Sequence, residues 1–433
     1  MPKGDDPVST QPNDADHLET LDRDLHRFSH LETATQYVAR PMVGPGIALV
    51  FILLAGFAAS MLFGQSSSNL VVAIAAVFGA YMALNIGAND VANNMGPAVG
   101  ANALSMGGAI AIAAVFESAG ALLAGGDVVS TISKGIIDPT GIQNAQIFIW
   151  AMMAALISSA LWVNLATYVG APVSTTHSVV GGVMGAGIAA AGFAAVNWPT
   201  MGKIAASWVI SPVLGGAIAA GFLALIKAKI IYQDDKIAAA RRWVPILVGI
   251  MAAAFASYLA LKGLKRIVKI DLATALMIGA AIGVATYVVT RPLIRRQSEG
   301  LENRNKSLKV LFGMPLVFSA ALLSFAHGAN DVANAVGPLA AIVHASEFGD
   351  FAAKVAIPSW VMVIGAFGIS FGLFLFGPKL IRMVGSQITK LNPMRAYCVA
   401  LSAAITVIVA SWLGLPVSST HIAVGGVFGV GFF

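Results

Sequence analysis

The sequence predicts an all-α polytopic membrane protein: about twelve transmembrane segments in two inverted-topology repeats, with discontinuous or re-entrant helices at a duplicated motif. Three observations lead there. Hydrophobic residues make up 58% of the 433 and charged residues only 11%, whereas soluble domains carry roughly 25% charged. The apolar residues form long Ala/Val/Ile/Gly runs, close to the roughly 20 residues of a spanning helix and unlike the short alternating strands of a barrel. Finally, Gly87-Ala88-Asn89-Asp90-Val91-Ala92-Asn93-Asn94-Met95-Gly96-Pro97 returns 241 positions later as Gly328-Ala329-Asn330-Asp331-Val332-Ala333-Asn334-Ala335-Val336-Gly337-Pro338, identical at nine of eleven positions.

Residues 1–40 hold eight acids and three of the seven histidines, His17, His26 and His30, and read as a polar extension without a signal sequence. Within it Leu18, Leu21, Leu25, Phe28 and Leu31 recur at helical spacing, so an amphipathic helix over 17–39 is expected, lying on the membrane surface or on the bundle. Hydrophobic segments follow near 47–63, 70–86, 107–125, 146–169, 173–191, 205–227, 243–262, 272–290, 310–326, 357–377, 395–413 and 418–433. The Gly/Asn/Pro-rich motif stretches between them are apolar enough to enter the bilayer yet look too broken to cross as regular helices, a form allowed where the backbone is buried in protein. The resulting organisation is a polar extension (1–40), a first transmembrane segment (41–69), a first repeat (70–227), two connecting helices with basic loops (228–309) and a second repeat (310–433). The partner of segment 205–227 is absent from the second repeat, which therefore reads as cut short.

The formal charge of +6 would suggest nucleic acid if the basic residues formed a patch. They fall in loops instead. The extension and loops 227–242, 291–309 and 378–395 carry 19 of the 26 Lys/Arg and the opposite loops 7, which predicts a cytoplasmic N-terminus, with Lys262, Lys265, Arg266 and Lys269 as the exception. The segments entering the two motifs are seven crossings apart on this count, and an odd number inverts the second copy. The single cysteine, Cys398, excludes an intrachain disulfide and reads as a small apolar helix residue.

Away from loops and termini only Asp90, Glu117 and Asp331 are acidic, and no lysine or arginine accompanies them. A buried carboxylate needs a partner, which leaves a proton or a metal cation such as Na⁺. Asn89, Asp90 and Asn93, and again Asn330, Asp331 and Asn334, lie three or four residues apart and share a helix face, an oxygen-rich set suited to a hard cation. A second duplicated motif, Pro172-Val173-Ser174-Thr175-Thr176-His177 and Pro416-Val417-Ser418-Ser419-Thr420-His421, reads as a helix start. Its free N–H groups and the hydroxyls of Ser174, Thr175, Thr176, Ser418, Ser419 and Thr420 would receive an anion. Anion and cation would then be carried together. Glu117 lies mid-segment, and the corresponding helix of the second copy, reading Ala366-Phe367-Gly368-Ile369-Ser370, has no acid. It is a candidate proton carrier or cation ligand. His177 and His421 are expected to orient the hydroxyls or cap local backbone rather than act as general bases, and His327, unmatched in the first copy, is the weakest candidate.

On these two motif pairs the chain resembles the inorganic phosphate transporter (PiT) family over roughly residues 70–433. The resemblance implies secondary active symport of inorganic phosphate with Na⁺ or H⁺, by alternating access around a midplane site, with no cofactor and no enzymatic activity. It also implies phosphate contacts from Asn89, Asp90, Ser174, Thr175, Thr176, Asn330, Asp331, Ser418, Ser419 and Thr420. Cation coupling would fall to Asp90, Asn93, Glu117, Asp331 and Asn334, with Na⁺ at Asp90, Asn93, Asp331 and Asn334. Expected partners are phosphate, the cation and the lipid of a plasma or inner membrane, with a homodimer left open and nucleic acid excluded. The competing readings are a sulfate or metal–phosphate permease of the same fold, a passive anion channel, and an intramembrane hydrolase, for which nothing fixes a Ser–His–Asp geometry.

Overall fold

The computed structural model describes residues 42–63, 68–138, 142, 144–262, 270–349, 357–384 and 391–433. The amphipathic helix expected over 17–39, with His17, His26 and His30, lies outside the described residues, as do Lys265, Arg266 and Lys269. Two units are distinguished, Met1–Val50 and Phe51–Phe433. The described part of the first, residues 42–50, is helical and opens α1 (Met42–Phe63).

The described residues of the second unit form helices joined by turns and short extended stretches. In order come α2 (Asn69–Asn89), α3 (Val91–Gly100), α4 (Met106–Ala124), α5 (Gly126–Ser130), α6 (Ala145–Val169), α7 (Thr175–Ala191), α8 (Trp198–Ile226) and α9 (Lys236–Lys262). They are followed by α10 (Leu272–Gln297), α11 (Asn305–Leu311), α12 (Gly313–Phe348), α13 (Ser359–Met383), α14 (Pro393–Trp412) and α15 (Ser419–Phe432). All twelve hydrophobic segments are helical, and ten helices among the described residues are long and apolar enough to cross a bilayer. The segments 173–191 and 418–433 are the exceptions, since α7 and α15 have 17 and 14 residues, or about 26 and 21 Å at 1.5 Å per residue.

The breaks expected at the Gly/Asn/Pro motif fall elsewhere. At the first motif the chain only pauses at Asp90, whose φ of −78° and ψ of −37° are themselves helical, and α12 runs through the second motif without interruption. The asparagines do not unravel the helix because their amides bond to other segments rather than to their own backbone. The breaks lie before the hydroxyl motifs. There Gly170 and Gly414 take φ of +81° and +68°, a region open to glycine at little cost, and Pro172 and Pro416 follow, which have no N–H to continue a helix.

The helices around the motifs approach closely at matched glycines. A Cβ on Gly87 of α2 would lie 1.8 Å from the Ile369 carbonyl oxygen of α13, and one on Gly372 of α13 would lie 1.9 Å from that of Leu84 of α2. Between α4 and α12 the distances are 2.0 Å from Gly120 to the Phe325 oxygen and 2.1 Å from Gly328 to the Glu117 oxygen. Only a residue without a side chain permits this packing, which is how helices associate where no hydrophobic force separates protein from lipid. The pairs also set the register between copies: Leu84 and Gly87 answer to Phe325 and Gly328, and Glu117 and Gly120 to Ile369 and Gly372. Ser118 and its counterpart Ser370 touch each other, Oγ to Oγ, at 2.7 Å. In this register the counterpart of Glu117 is Ile369, and that of His327 is Ile86.

Candidate functional site

Asn89 and Asn330 were expected to contact the ligand, but their amides are occupied in holding the broken segments. Asn89 Nδ2 donates to Thr167 Oγ1 at 3.0 Å and to the Ala171 carbonyl at 3.1 Å, and Asn89 Oδ1 accepts from Val173 N at 3.0 Å. Asn330 repeats the arrangement, with Ser411 Oγ at 3.0 Å, the Leu415 carbonyl at 3.2 Å and Val417 N at 3.4 Å. Each asparagine therefore fixes where the following helix begins. Ser174 and Ser418 cap those helices, accepting from His177 N at 3.1 Å and His421 N at 3.3 Å, so their hydroxyl oxygens serve the backbone.

The capped ends of α7 and α15 meet, with Thr176 Oγ1 donating to the Val417 carbonyl at 3.0 Å. In the first turn of each helix the backbone N–H groups of Thr175 and Thr176, and of Ser419 and Thr420, have no acceptor within their own helix. Two helix N-termini thus bring N–H groups, hydroxyls and positive dipole ends to one place, an arrangement that favours an anion.

The carboxylates lie beside them, buried with Glu117 and His327. Asp90 accepts from Thr175 Oγ1 through Oδ2 and from Thr420 Oγ1 through Oδ1, the latter at 3.0 Å. Asp331 Oδ2 lies 3.4 Å from Ser419 Oγ. Asn93 Nδ2 donates to Thr420 Oγ1 at 2.8 Å, and Asn334 Nδ2 to Thr176 and Thr175 Oγ1 at 3.1 and 3.3 Å. Asp331 Oδ1 and Asn334 Oδ1 are buried without a hydrogen-bond partner, which leaves acceptor oxygens turned inward of the kind a hard cation binds.

The residue that sequence reasoning undervalued is His327. It is fully buried, its Nδ1 lies 2.6 Å from Glu117 Oε2, and its Nε2 is 2.7 Å from Asp331 Oδ2 and 4.0 Å from Asp90 Oδ2. The Nε2 contact is at ion-pair distance without the alignment of a hydrogen bond. Asn94 Nδ2 completes the cluster by donating to Glu117 Oε1 at 2.9 Å. The intramembrane carboxylates therefore do have a basic side chain among them. The available signal was a ring placed four residues, about one helical turn, before Asp331, where the first copy has Ile86. The ring lies between Glu117 and Asp331 and links the two. Ligand atoms of Asp90, His327 and Asp331 lie within 4.8 Å of one another, a further grouping able to hold a cation.

Buried carboxylates facing paired helix ends inside a bundle of apolar helices suit a membrane transport protein. Comparison with known proteins agrees. The model of the phosphate transporter family matches residues 86–433. A Helicobacter pylori (strain J99) protein named as a phosphate permease is 52% identical over 415 residues, covering 94% of this chain and 77% of that protein. Inorganic phosphate transporter 2-1, chloroplastic, of Arabidopsis thaliana is 39% identical over 386 residues, 82% of this chain and 65% of its own length. A solved structure titled the sodium-dependent phosphate transporter superposes with a TM-score of 0.80 at 38% identity, covering 84% of this chain and 89% of that one. The chain belongs to the phosphate transporter family.

Proposed function

We propose that this protein is a secondary active symporter that carries inorganic phosphate together with Na⁺, by alternating access around the site between α7, α15 and the two aspartates. The observation that carries the proposal is the placing of Asp90 and Asp331 against both helix N-termini. An anion bound there meets two carboxylates, and a cation between them turns repulsion into attraction, so each ion binds well only with the other. The all-oxygen acceptors of Asp331 and Asn334 favour Na⁺, and the structural relative is named for sodium dependence. Proton coupling is the second reading, favoured by His327 lying within ion-pair distance of both Glu117 and Asp331.

Asp90, Asp331, Thr175, Thr176, Ser419 and Thr420 hold phosphate and cation in this proposal, Asn93 and Asn334 orient the hydroxyls, and Glu117 acts through His327. The transport frame is two inverted repeats, 70–227 and 310–433. Inversion is supported by one cavity lined both by the end of α3 at Gly100 and by the start of α12 at Gly313, so the motif helices run in opposite directions. A cytoplasmic N-terminus in the plasma membrane fits the basic loops. Lys236 N bonds Asn303 Oδ1 at 2.9 Å and Arg241 Nε bonds Ser298 Oγ at 2.6 Å, which brings loops 227–242 and 291–309 to one face.

The test is radiolabelled phosphate uptake into proteoliposomes under separate Na⁺ and proton gradients, with sulfate as competitor. Accumulation driven by the Na⁺ gradient and resistant to sulfate is expected. Flux indifferent to both gradients would show a passive channel and overturn the proposal.

A further inference from the structure

The stretch that leads into α15 is held at four consecutive carbonyls. Thr131 Oγ1 donates to that of Gly414 at 2.7 Å, Asn330 Nδ2 to that of Leu415 at 3.2 Å, Trp208 Nε1 to that of Pro416 at 3.1 Å and Thr176 Oγ1 to that of Val417 at 3.0 Å. Asn330 belongs to the second copy, and the other three donors come from the first. The matching stretch before α7, Gly170 to Val173, receives one such bond among the described residues, from Asn89 to the Ala171 carbonyl at 3.1 Å. The next donor, Lys379 Nζ, reaches the Tyr168 carbonyl at the exposed end of α6, at 3.4 Å. The contrast has a source in the sequence. Thr131 follows Gly120 by eleven residues, and eleven beyond the matched Gly372 stands Met383. Met383 does reach the first break, since a Cβ on Gly170 would lie 3.6 Å from its terminal methyl. A thioether has no proton to donate.

Fixing four carbonyls in a row fixes the direction in which α15 sets out, and with it Ser419 and Thr420, which face Asp331 and Asp90. We propose that Thr131 and Trp208 are positioning residues for the anion site: they hold the start of α15 in place, so that α7, held at fewer points, is the half that yields as phosphate enters. The proposal rests on the reading of the two helix ends as the phosphate site. Thr131 and Trp208 act on the ligand through the backbone they hold, which is how a side chain away from a bound ion sets the geometry that receives it.

Hydrogen–deuterium exchange of the purified full chain without phosphate reads these bonds without reference to transport. In wild type the amides of 414–420 should be better protected than those of 170–176 after correction for intrinsic rates. Thr131→Val should speed exchange at 414–420 about fivefold, the value of one ordinary hydrogen bond, and leave 170–176 unchanged, while Thr131→Ser should restore protection. Trp208→Phe, which keeps a ring beside His177 but loses the N–H, should act on the same stretch. In proteoliposomes Thr131→Val should raise the KM for phosphate with little change in kcat, and Thr131→Ser should return it to the wild-type value. Equal protection of the two stretches in wild type would overturn the proposal, and that comparison needs no variant to fold. Faster exchange with an unchanged KM would overturn it too, since the bonds would then serve stability alone. A wild type that shows the exchange contrast but takes up no phosphate would overturn the phosphate reading and this role with it, a result distinct from the other two.

Discussion

Asn93 on α3 donates to Thr420 on α15 at 2.8 Å, a bond between the carboxylate motif of one copy and the hydroxyl motif of the other. Asn334 on α12 returns it, donating to Thr176 on α7 at 3.1 Å. Each copy thus supplies half of the other's polar network, and Asp90 takes hydroxyls from both, Thr175 and Thr420. The buried hydroxyls already have partners, so ligand entry must exchange these bonds rather than fill vacant positions. Buried polar groups held this way fix a geometry tightly because any loss leaves an unpaired atom.

Asp90→Asn and Asp331→Asn should each reduce Na⁺-driven phosphate uptake to the level of empty liposomes. An amide is nearly the same size, its oxygen keeps one of the two threonine bonds and its Nδ2 can donate to the other hydroxyl oxygen, so the Asp90 variant should fold. Uptake unimpaired in both variants would remove the proposed cation sites.

Removing the imidazole alone should destabilise the protein. His327→Ala leaves the Glu117 and Asp331 carboxylates buried without the group between them, and breaking a buried ion pair costs about 3–5 kcal/mol. The double variant Glu117→Ile/His327→Ile copies the pair that the other copy carries, Ile369 and Ile86, both fully buried. Replacing both charged partners by apolar ones is often neutral. Its thermal unfolding temperature should recover most of the loss while uptake stays absent, and recovery of uptake as well would show that the pair serves stability only.

The glycine contacts predict a sharp positional contrast. Gly120→Ala would place a methyl 2.0 Å from the Phe325 oxygen, and overpacking of this kind costs about 1–3 kcal/mol or more. Gly107→Ala, on the same helix with nothing within 4 Å, should leave unfolding temperature and uptake unchanged. The comparison is read by detergent-solubilised thermal unfolding, and equal effects of the two substitutions would contradict the packing described.

Caps and ligands should separate kinetically. Ser174→Ala and Ser418→Ala each remove an N-cap worth about 1 kcal/mol, so unfolding temperature should fall while the KM for phosphate stays near wild type. Thr175→Val and Thr420→Val keep shape but remove the hydroxyls bonded to Asp90, and these should raise KM or abolish uptake. A raised KM in the serine variants would return those hydroxyls to the ligand.

Much of this was legible in the sequence because duplication marks what a single copy would hide. The helical class, the two motif pairs and the burial of Asp90, Asp331 and Glu117 follow from residues alone. The wiring between copies does not, since Asn93 and Thr420 are 327 positions apart and only packing brings them together. The clamp that Asn89 and Asn330 form is not legible in the sequence, because an amide serves a clamp or a ligand equally well and nothing local says which. The breaks were placed at the asparagine-rich motif, whereas Gly170 with Pro172 and Gly414 with Pro416 were the stronger backbone signal. His327 was discounted for lacking a counterpart. In a duplicated frame the unmatched polar residue deserved more weight, because a lone imidazole in an apolar helix needs a reason to stay.

That imidazole also bears on the direction of the transport cycle. If the two halves exchange conformations as the site turns from one side of the membrane to the other, one exchange works against a Glu–His pair and the other against two isoleucines. Their energies differ. The empty carrier would then have a preferred resting side, and the concentration that half-saturates uptake would differ from the one that half-saturates efflux when each is measured into a ligand-free compartment.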